Sequence, residues 1–140
     1  MKCNLLVIIC CSLACFAQQK QRQKPCRQQE AQAADSRIDQ LKSWSLVHDF
    51  YSEFSNCDDG GIAEGVSDAV GKLLADHWET LDCLQKMTSV DTGFQKFVIR
   101  HLDGTLPAET LQKIASNAQK RCSNNAKSLC SEIRQAALRK

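Results

Sequence analysis

Hydrophobic residues recur along this chain with the three-to-four-residue spacing of amphipathic helices. The clearest example covers residues 62–87, where charged side chains occupy the face opposite the apolar one. Asp58 and Asp59 precede this segment and are suited to cap a helix N-terminus. The pattern predicts a single continuous helix over residues 62–87. Its apolar face carries Ile62, Val66, Val70, Leu73, Leu74, Leu81 and Leu84.

Further stretches show the same helical spacing, and no stretch shows the alternation that is typical of a β-strand. The apolar positions over residues 38–54 drift faster than a straight helix allows, which predicts a break near residues 43–45. Asp91 is the expected N-cap of the next helix, and Pro107 is the expected first residue of the helix after it. We therefore predict an all-α fold, a small disulfide-stapled bundle of about five helices.

The start of the chain has the composition of an export signal. Lys2 is followed by an apolar run over residues 5–11, which is shorter than the roughly 20 residues that span a bilayer. Cys15 and Ala17 occupy the small-residue positions of a cleavage site, so we predict a signal peptide over residues 1–17. A retained membrane anchor and lipidation at Cys15 are the alternatives.

The segment over residues 18–37 is rich in glutamine and carries five basic and two acidic residues. It contains almost no large apolar side chain, so it can bury little surface to offset the entropy of ordering. We interpret it as a basic tether that turns helical from Gln28. The predicted helical domain covers residues 38–140.

Cysteine is unusually abundant, with nine in 140 residues, of which five follow the predicted cleavage site. Export leads to the periplasm or the cell exterior, where disulfides persist, and five cysteines form at most two bridges. Cys122 and Cys130 lie on neighbouring apolar stripes across one reversal of the chain, so we predict that they are bonded. Cys26 and Cys83 are the second predicted pair if their helices run antiparallel. Cys57 is then the odd thiol, with a bond from Cys57 to the C-terminal hairpin as the rival pairing.

Acidic residues are concentrated between Asp58 and Asp82, where seven acids accompany a single base, Lys72. Such a face attracts a basic protein partner and loses affinity as salt is added, while a solvated helix surface is the alternative interpretation. Nucleic acid is disfavoured as a partner because the basic residues are concentrated in the tether and at the chain end. The predicted partner-binding residues are Asp58, Asp59, Glu64, Asp68, Glu79 and Asp82.

Two histidines, His77 and His101, fall on the apolar faces of neighbouring predicted helices, so both are expected in the core. Zinc would need further ligands, and no His or Cys spacing supplies them. Cys57 precedes a helix N-terminus, which favours a thiolate, but the chain contains no motif of a nucleophilic, phosphate-binding or metal-dependent enzyme. We therefore predict no enzyme activity, no metal site and no cofactor.

Three stretches resemble small exported proteins of Gram-negative bacteria. They are CDDGGIAEGVSDAVGKLLADHW, FQKFVIRHLDGTL and LQKIASNAQKRC, the last followed by LC, and the similarity spans about residues 44–133. By class these proteins are similar to the small helical, disulfide-containing periplasmic proteins that neutralise toxins from neighbouring cells. The resemblance implies no catalytic residues. Insect odorant-binding proteins are also exported and all-α, but this chain departs from their cysteine pattern at Cys83 and in the spacing of Cys122 and Cys130.

These features together predict an exported, non-enzymatic helical protein that binds another protein through an acidic helix face. A periplasmic immunity or inhibitor protein acts in this way. No stable membrane insertion is expected after the signal is removed. The alternative function is that of a secreted carrier that holds a small apolar ligand between its helices.

Overall fold

The computed structural model describes residues 24–139, and within them the chain forms seven α-helices and no β-strand. The predicted all-α class is confirmed, but the predicted number of about five helices is too low. The predicted signal peptide, residues 18–23 and Lys140 lie outside the described residues. The helices are α1 (Gln28–Asp35), α2 (Trp44–Phe54), α3 (Gly60–Asp76), α4 (Leu81–Thr88), α5 (Thr92–Arg100), α6 (Ala108–Lys120) and α7 (Lys127–Ala137).

The prediction of one continuous helix over residues 62–87 is wrong, because the chain turns between α3 and α4. The indole of Trp78 is buried in this turn and donates a hydrogen bond to the carbonyl oxygen of Arg121, 3.0 Å away beyond the end of α6. The Thr80 hydroxyl donates to the His77 carbonyl oxygen at 2.7 Å. Burial of a large aromatic side chain against α6 thus outweighs the local preference for an unbroken helix.

α3 is the central helix and contacts α1, α2 and α6. Its side chains Val66 and Val70 are fully buried, as are Phe50 of α2 and Phe94 of α5. α6 and α7 pack against each other as a hairpin, and α5 contacts α2, α4 and α7. Among residues 24–139 no helix is both long and apolar enough to cross a membrane.

α1 is part of the folded body, so the tether interpretation is wrong for residues 24–37. The segment is helical from Gln28, and Ala34 is fully buried. Cys26, just before α1, is bonded to Cys57, just beyond the end of α2. A disulfide and a small buried side chain therefore anchor a segment whose composition alone predicts little burial.

The disulfides of the described residues are Cys26–Cys57 and Cys122–Cys130. The predicted Cys122–Cys130 pair is confirmed, and it joins the end of α6 to α7. The predicted Cys26–Cys83 pair and the assignment of Cys57 as the odd thiol are wrong. The start of α1 lies against the turn that follows α2, which brings the Cα atoms of Cys26 and Cys57 within 4.9 Å of each other. Cys83 is the free cysteine of residues 24–139 and is exposed.

Candidate functional site

A buried chain of three polar side chains connects the start of α3 with the end of α5. Nε2 of His101 lies 3.1 Å from Oδ2 of Asp58, and Nδ1 of His101 lies 2.9 Å from the hydroxyl oxygen of Ser67. The side chains of Asp58 and His101 are 1% and 3% exposed, and Ser67 is also buried. Polar groups at this depth are costly to leave unpaired, so their mutual hydrogen bonds hold the two helices in one arrangement.

Local structure positions each of these side chains. Asp59 caps α3 by accepting a hydrogen bond from the backbone N–H of Gly60 at 2.8 Å. Gly60 has a φ of 54°, a conformation that glycine adopts most readily. Of the two predicted capping residues, therefore, Asp59 fills that role, whereas Asp58 lies in the interior. His101 is the C-cap of α5, and its ring packs edge-on against Phe97 with 4.6 Å between the ring centroids.

Positive charge surrounds the Asp58 carboxylate. Its oxygen Oδ2 contacts the guanidinium of Arg100 as well as the ring of His101. Burial by itself would raise the pKa of Asp58, but the hydrogen bond from His101 and the charges of His101 and Arg100 outweigh burial and hold that pKa below its usual range. The other oxygen, Oδ1, is buried and has no hydrogen-bond partner among the described residues.

An open cleft of about 420 Å³ lies next to this buried chain, between α3 and the loop after α5. Two further carboxylates line it, Glu64 from α3 and Asp103 from the loop. Hydrogen bonds from the hydroxyl and the backbone N–H of Thr105 lower the pKa of Asp103. We call this feature the acidic cleft; its lining residues are Asp58, Gly60, Ala63, Glu64, Ser67, Arg100, His101, Asp103 and Thr105.

The succession of aspartate, histidine and serine has the composition of a hydrolase triad, but its surroundings differ. Ser67 lies inside α3 with 3% of its surface exposed, so its hydroxyl is shielded from a substrate carbonyl. Its backbone N–H is used within the helix and is not free to stabilise an oxyanion. Within residues 24–139, no group of three or more His, Cys, Asp or Glu side chains is placed to hold a metal ion. The cleft is instead suited to receive a positively charged hydrogen-bond donor.

The predicted acidic residues fall into two separate groups. The first group surrounds the acidic cleft and a neighbouring depression lined by Glu64, Asp68 and Thr105. The second group lies in the turn after α3 and in the first turn of α4, and the rise of an α-helix puts the end of α3 about 18 Å beyond Glu64. A single acidic face is therefore the wrong description, because the break between α3 and α4 separates its two halves. The first group contains Asp58, Asp59, Glu64 and Asp68, and the second contains Glu79 and Asp82.

The two histidines also differ in environment. His101 is buried, as predicted, but the prediction that His77 is buried is wrong, since its side chain is 59% exposed. His77 lies just beyond the end of α3, and the turn at this point directs its ring toward the surface, with Nδ1 3.4 Å from Oε1 of Glu79.

The residues of the acidic cleft that were not identified from the sequence include Ser67, Arg100 and Asp103. Ser67 offered a signal, because it lies one residue after Val66 and three before Val70, on the buried side of α3. A small polar residue among core positions often has a buried hydrogen-bond partner. Arg100 ends α5 and Asp103 lies in the loop after it, two exposed positions where charged residues are common, so no pattern distinguishes them.

No family model, no curated protein and no solved structure matches this chain.

Proposed function

We propose that this chain is an exported, disulfide-bonded helical protein that binds a basic surface of another protein at the acidic cleft. The observation that carries this proposal is the acidic lining of the cleft, where Glu64 and Asp103 lie beside Asp58 and form no ion pair with another described residue. A lysine or arginine side chain of the partner supplies the positive charge and the hydrogen-bond donors that pair with Glu64 and Asp103.

The surface around the cleft supports electrostatic attraction. Glu64 forms no ion pair with another described residue, and the only pair of Asp68 is an exposed contact of 4.0 Å with Lys72. Exposed pairs of this kind contribute little, so both carboxylates remain available to a partner. A Cβ added at Gly60 or Gly61 would meet nothing within 4 Å, so the backbone there is open to close approach.

The disulfides Cys26–Cys57 and Cys122–Cys130 fit a protein of the periplasm or the cell exterior, because thiols in the cytosol are kept reduced. The similarity in class to toxin-neutralising periplasmic proteins favours a specific form of the proposal. In that form the partner is a toxin, and binding at the acidic cleft blocks it. The basic side chain bound in the cleft then belongs to a residue that the toxin needs for its activity.

The proposal is tested with two charge-reversal variants of equal net charge. Glu64→Lys/Asp68→Lys changes the acidic cleft and its neighbouring depression, whereas Glu79→Lys/Asp82→Lys makes the same charge change in the turn after α3 and at the start of α4 and is the control. Each variant and the wild type are immobilised and exposed to the proteins of the compartment from which the natural protein is recovered. The bound proteins are quantified by mass spectrometry, after circular dichroism has shown that each variant is folded.

We expect at least one protein to bind the wild type and the control equally but the cleft variant much less. Its association rate should fall about tenfold in the cleft variant and should decrease as salt is added. A set of bound proteins that is the same for both variants would contradict the proposal. The immunity form further requires that the wild type, and not the cleft variant, inhibits the activity of the captured partner. Full activity of the partner in the presence of saturating wild type would exclude that form.

A further inference from the structure

A second depression lies on another part of the surface and differs from the acidic cleft in chemistry. It is an open groove of about 460 Å³ between the start of α2, the end of α3 and α4. This volume lies within the range of about 300–1,000 Å³ that is typical of small-molecule sites. We call it the apolar groove, and the residues that carry the argument are Lys42, Trp44, Leu73, Cys83, Lys86 and Met87.

The floor of the apolar groove consists of hydrophobic side chains. Trp44 and Leu73 line it although they are only 3% and 4% exposed, and Met87 is half-buried beside them. The indole N–H of Trp44 already donates to the hydroxyl of Thr80 at 2.9 Å, so the ring does not need a polar ligand atom. An apolar chain in the groove would gain free energy by covering the apolar surface that Met87 and Cys83 still expose beside these two side chains.

The charged residues that line the apolar groove are two lysines, Lys42 and Lys86. Lys42 and Lys86 are exposed, and neither forms an ion pair with another residue between 24 and 139. His77 also lines the groove and is in contact with Glu79, which lies outside the lining. No aspartate or glutamate is among the lining residues. The groove therefore combines an apolar floor with two unpaired cationic side chains.

We propose that the apolar groove binds one molecule of a single-chain amphiphile with an anionic head group, of which a fatty-acid carboxylate is the simplest. The chain lies over Trp44 and Leu73, and the head group pairs with Lys42 and Lys86. Once the predicted signal peptide over residues 1–17 is removed, residues 18–23 are an unsuitable occupant, because QQKQRQ is polar and basic like the groove's own charges. The proposal is independent of the acidic cleft and describes a second binding site.

Dodecanoate, below its micellar concentration, is the probe for this site. Dodecyltrimethylammonium has the same chain with a positive head group, and acetate has the negative head group without the chain. Binding to the exported protein is followed by tryptophan fluorescence, with Trp44→Phe separating the contribution of Trp44 from that of Trp78. The rate at which a maleimide labels Cys83, measured by peptide mapping, reports whether the ligand lies in the groove.

Three results are expected together. Dodecanoate should bind with one-to-one stoichiometry, change the fluorescence of Trp44 and slow the labelling of Cys83. Acetate and the cationic amphiphile should have none of these three effects. Lys42→Glu/Lys86→Glu should weaken dodecanoate binding about tenfold, because two attractive pairs become repulsive ones. Lys96→Glu/Lys127→Glu, which changes two exposed lysines outside the groove by the same charge, should leave the affinity unchanged.

The following outcomes would each overturn the proposal. Equal binding of the cationic amphiphile would show that Lys42 and Lys86 do not select for an anionic head group. Binding without protection of Cys83 would place the ligand elsewhere. Slow labelling of Cys83 that depends on protein concentration, without added amphiphile, would show that a second copy covers the groove. Slow labelling at every protein concentration would show that another part of the same chain covers it.

Discussion

The carboxylate of Asp58 accepts a hydrogen bond from Nε2 of His101 at 3.1 Å, and this pair joins the turn before α3 to the end of α5. The two residues are 43 positions apart in the chain and almost completely buried. Arg100 contacts the same carboxylate from the surface. The pair therefore both stabilises the junction of the two helices and shapes the wall of the acidic cleft.

This arrangement makes stability depend on pH. The pKa of Asp58 is held below its usual range, so the ionised carboxylate stabilises the fold above about pH 4, and that contribution is lost as the pH falls through the folded-state pKa. We expect Asp58→Asn to lower the free energy of unfolding at pH 7 by about 2 kcal/mol. The difference from wild type should shrink below about pH 4, as measured by urea unfolding at several pH values. A difference that is the same at pH 3 and pH 7 would contradict this account.

The end of α3 depends on a side chain from α6. The amide of Asn117 is buried and donates hydrogen bonds to the carbonyl oxygens of Leu74 and Ala75, at 3.0 and 3.1 Å. These carbonyls belong to the last turn of α3, where no backbone N–H group of the helix is available to donate to them. We expect Asn117→Ala to cost about 1–3 kcal/mol in the free energy of unfolding. Gln119→Ala, at an exposed position of the same helix, should cost less than about 0.5 kcal/mol. An equal loss of stability in the two variants would contradict a capping role for Asn117.

The two disulfides should contribute unequally to stability. Cys26 and Cys57 are 31 positions apart, whereas Cys122 and Cys130 are 8 positions apart. In the loop-entropy model the first bond contributes about 4 kcal/mol and the second about 2–3 kcal/mol. Cys26→Ser/Cys57→Ser should therefore lower the midpoint of thermal unfolding more than Cys122→Ser/Cys130→Ser does. The reverse order would mean that strain or residual structure, rather than loop length, sets the contributions.

Peptide mapping under non-reducing conditions checks the pairing itself. The described residues contain five cysteines, so we expect four of them in two linked peptide pairs and Cys83 as the alkylated one. Alkylation of Cys57 in the folded protein would contradict the pairing of Cys26 with Cys57.

A glycine on α3 allows a close contact with the segment before α2. A Cβ on Gly65 would lie 2.6 Å from Cγ2 of Ile38, closer than two non-bonded carbon atoms approach, whereas a Cβ on Gly61 would meet nothing within 4 Å. We expect Gly65→Ala to destabilise the protein by about 1–3 kcal/mol through overpacking. Gly61→Ala should stabilise it by about 0.5–1 kcal/mol, because alanine favours the helix. Thermal unfolding of the two variants separates these effects, and a stabilising Gly65→Ala would show that Ile38 moves freely.

The sequence by itself determined the helical class and those helix ends that depend on neighbouring residues. The predicted break near residues 43–45 is present, since Ser43 caps α2 by accepting from the Leu46 N–H at 3.4 Å. The predicted cap Asp91 accepts from the Phe94 N–H at 2.9 Å. Capping and helical periodicity act within one or two turns of the chain, so the residue types there suffice to predict them. The Cys122–Cys130 pair is equally local, because it closes a single helical hairpin.

Only the tertiary structure decided the Cys26–Cys57 bond, the end of α3 and the two candidate sites. The acidic cleft brings together residues such as Ser67 and His101, which are 34 positions apart in the chain. The floor of the apolar groove includes Trp44, whose indole donates a hydrogen bond to Thr80, 36 positions further along. Such contacts depend on how the helices pack, and the period of one helix does not specify which distant side chain will meet it. The indole of Trp78 illustrates the reason, because its burial against α6 breaks a pattern that local periodicity would have continued as one helix.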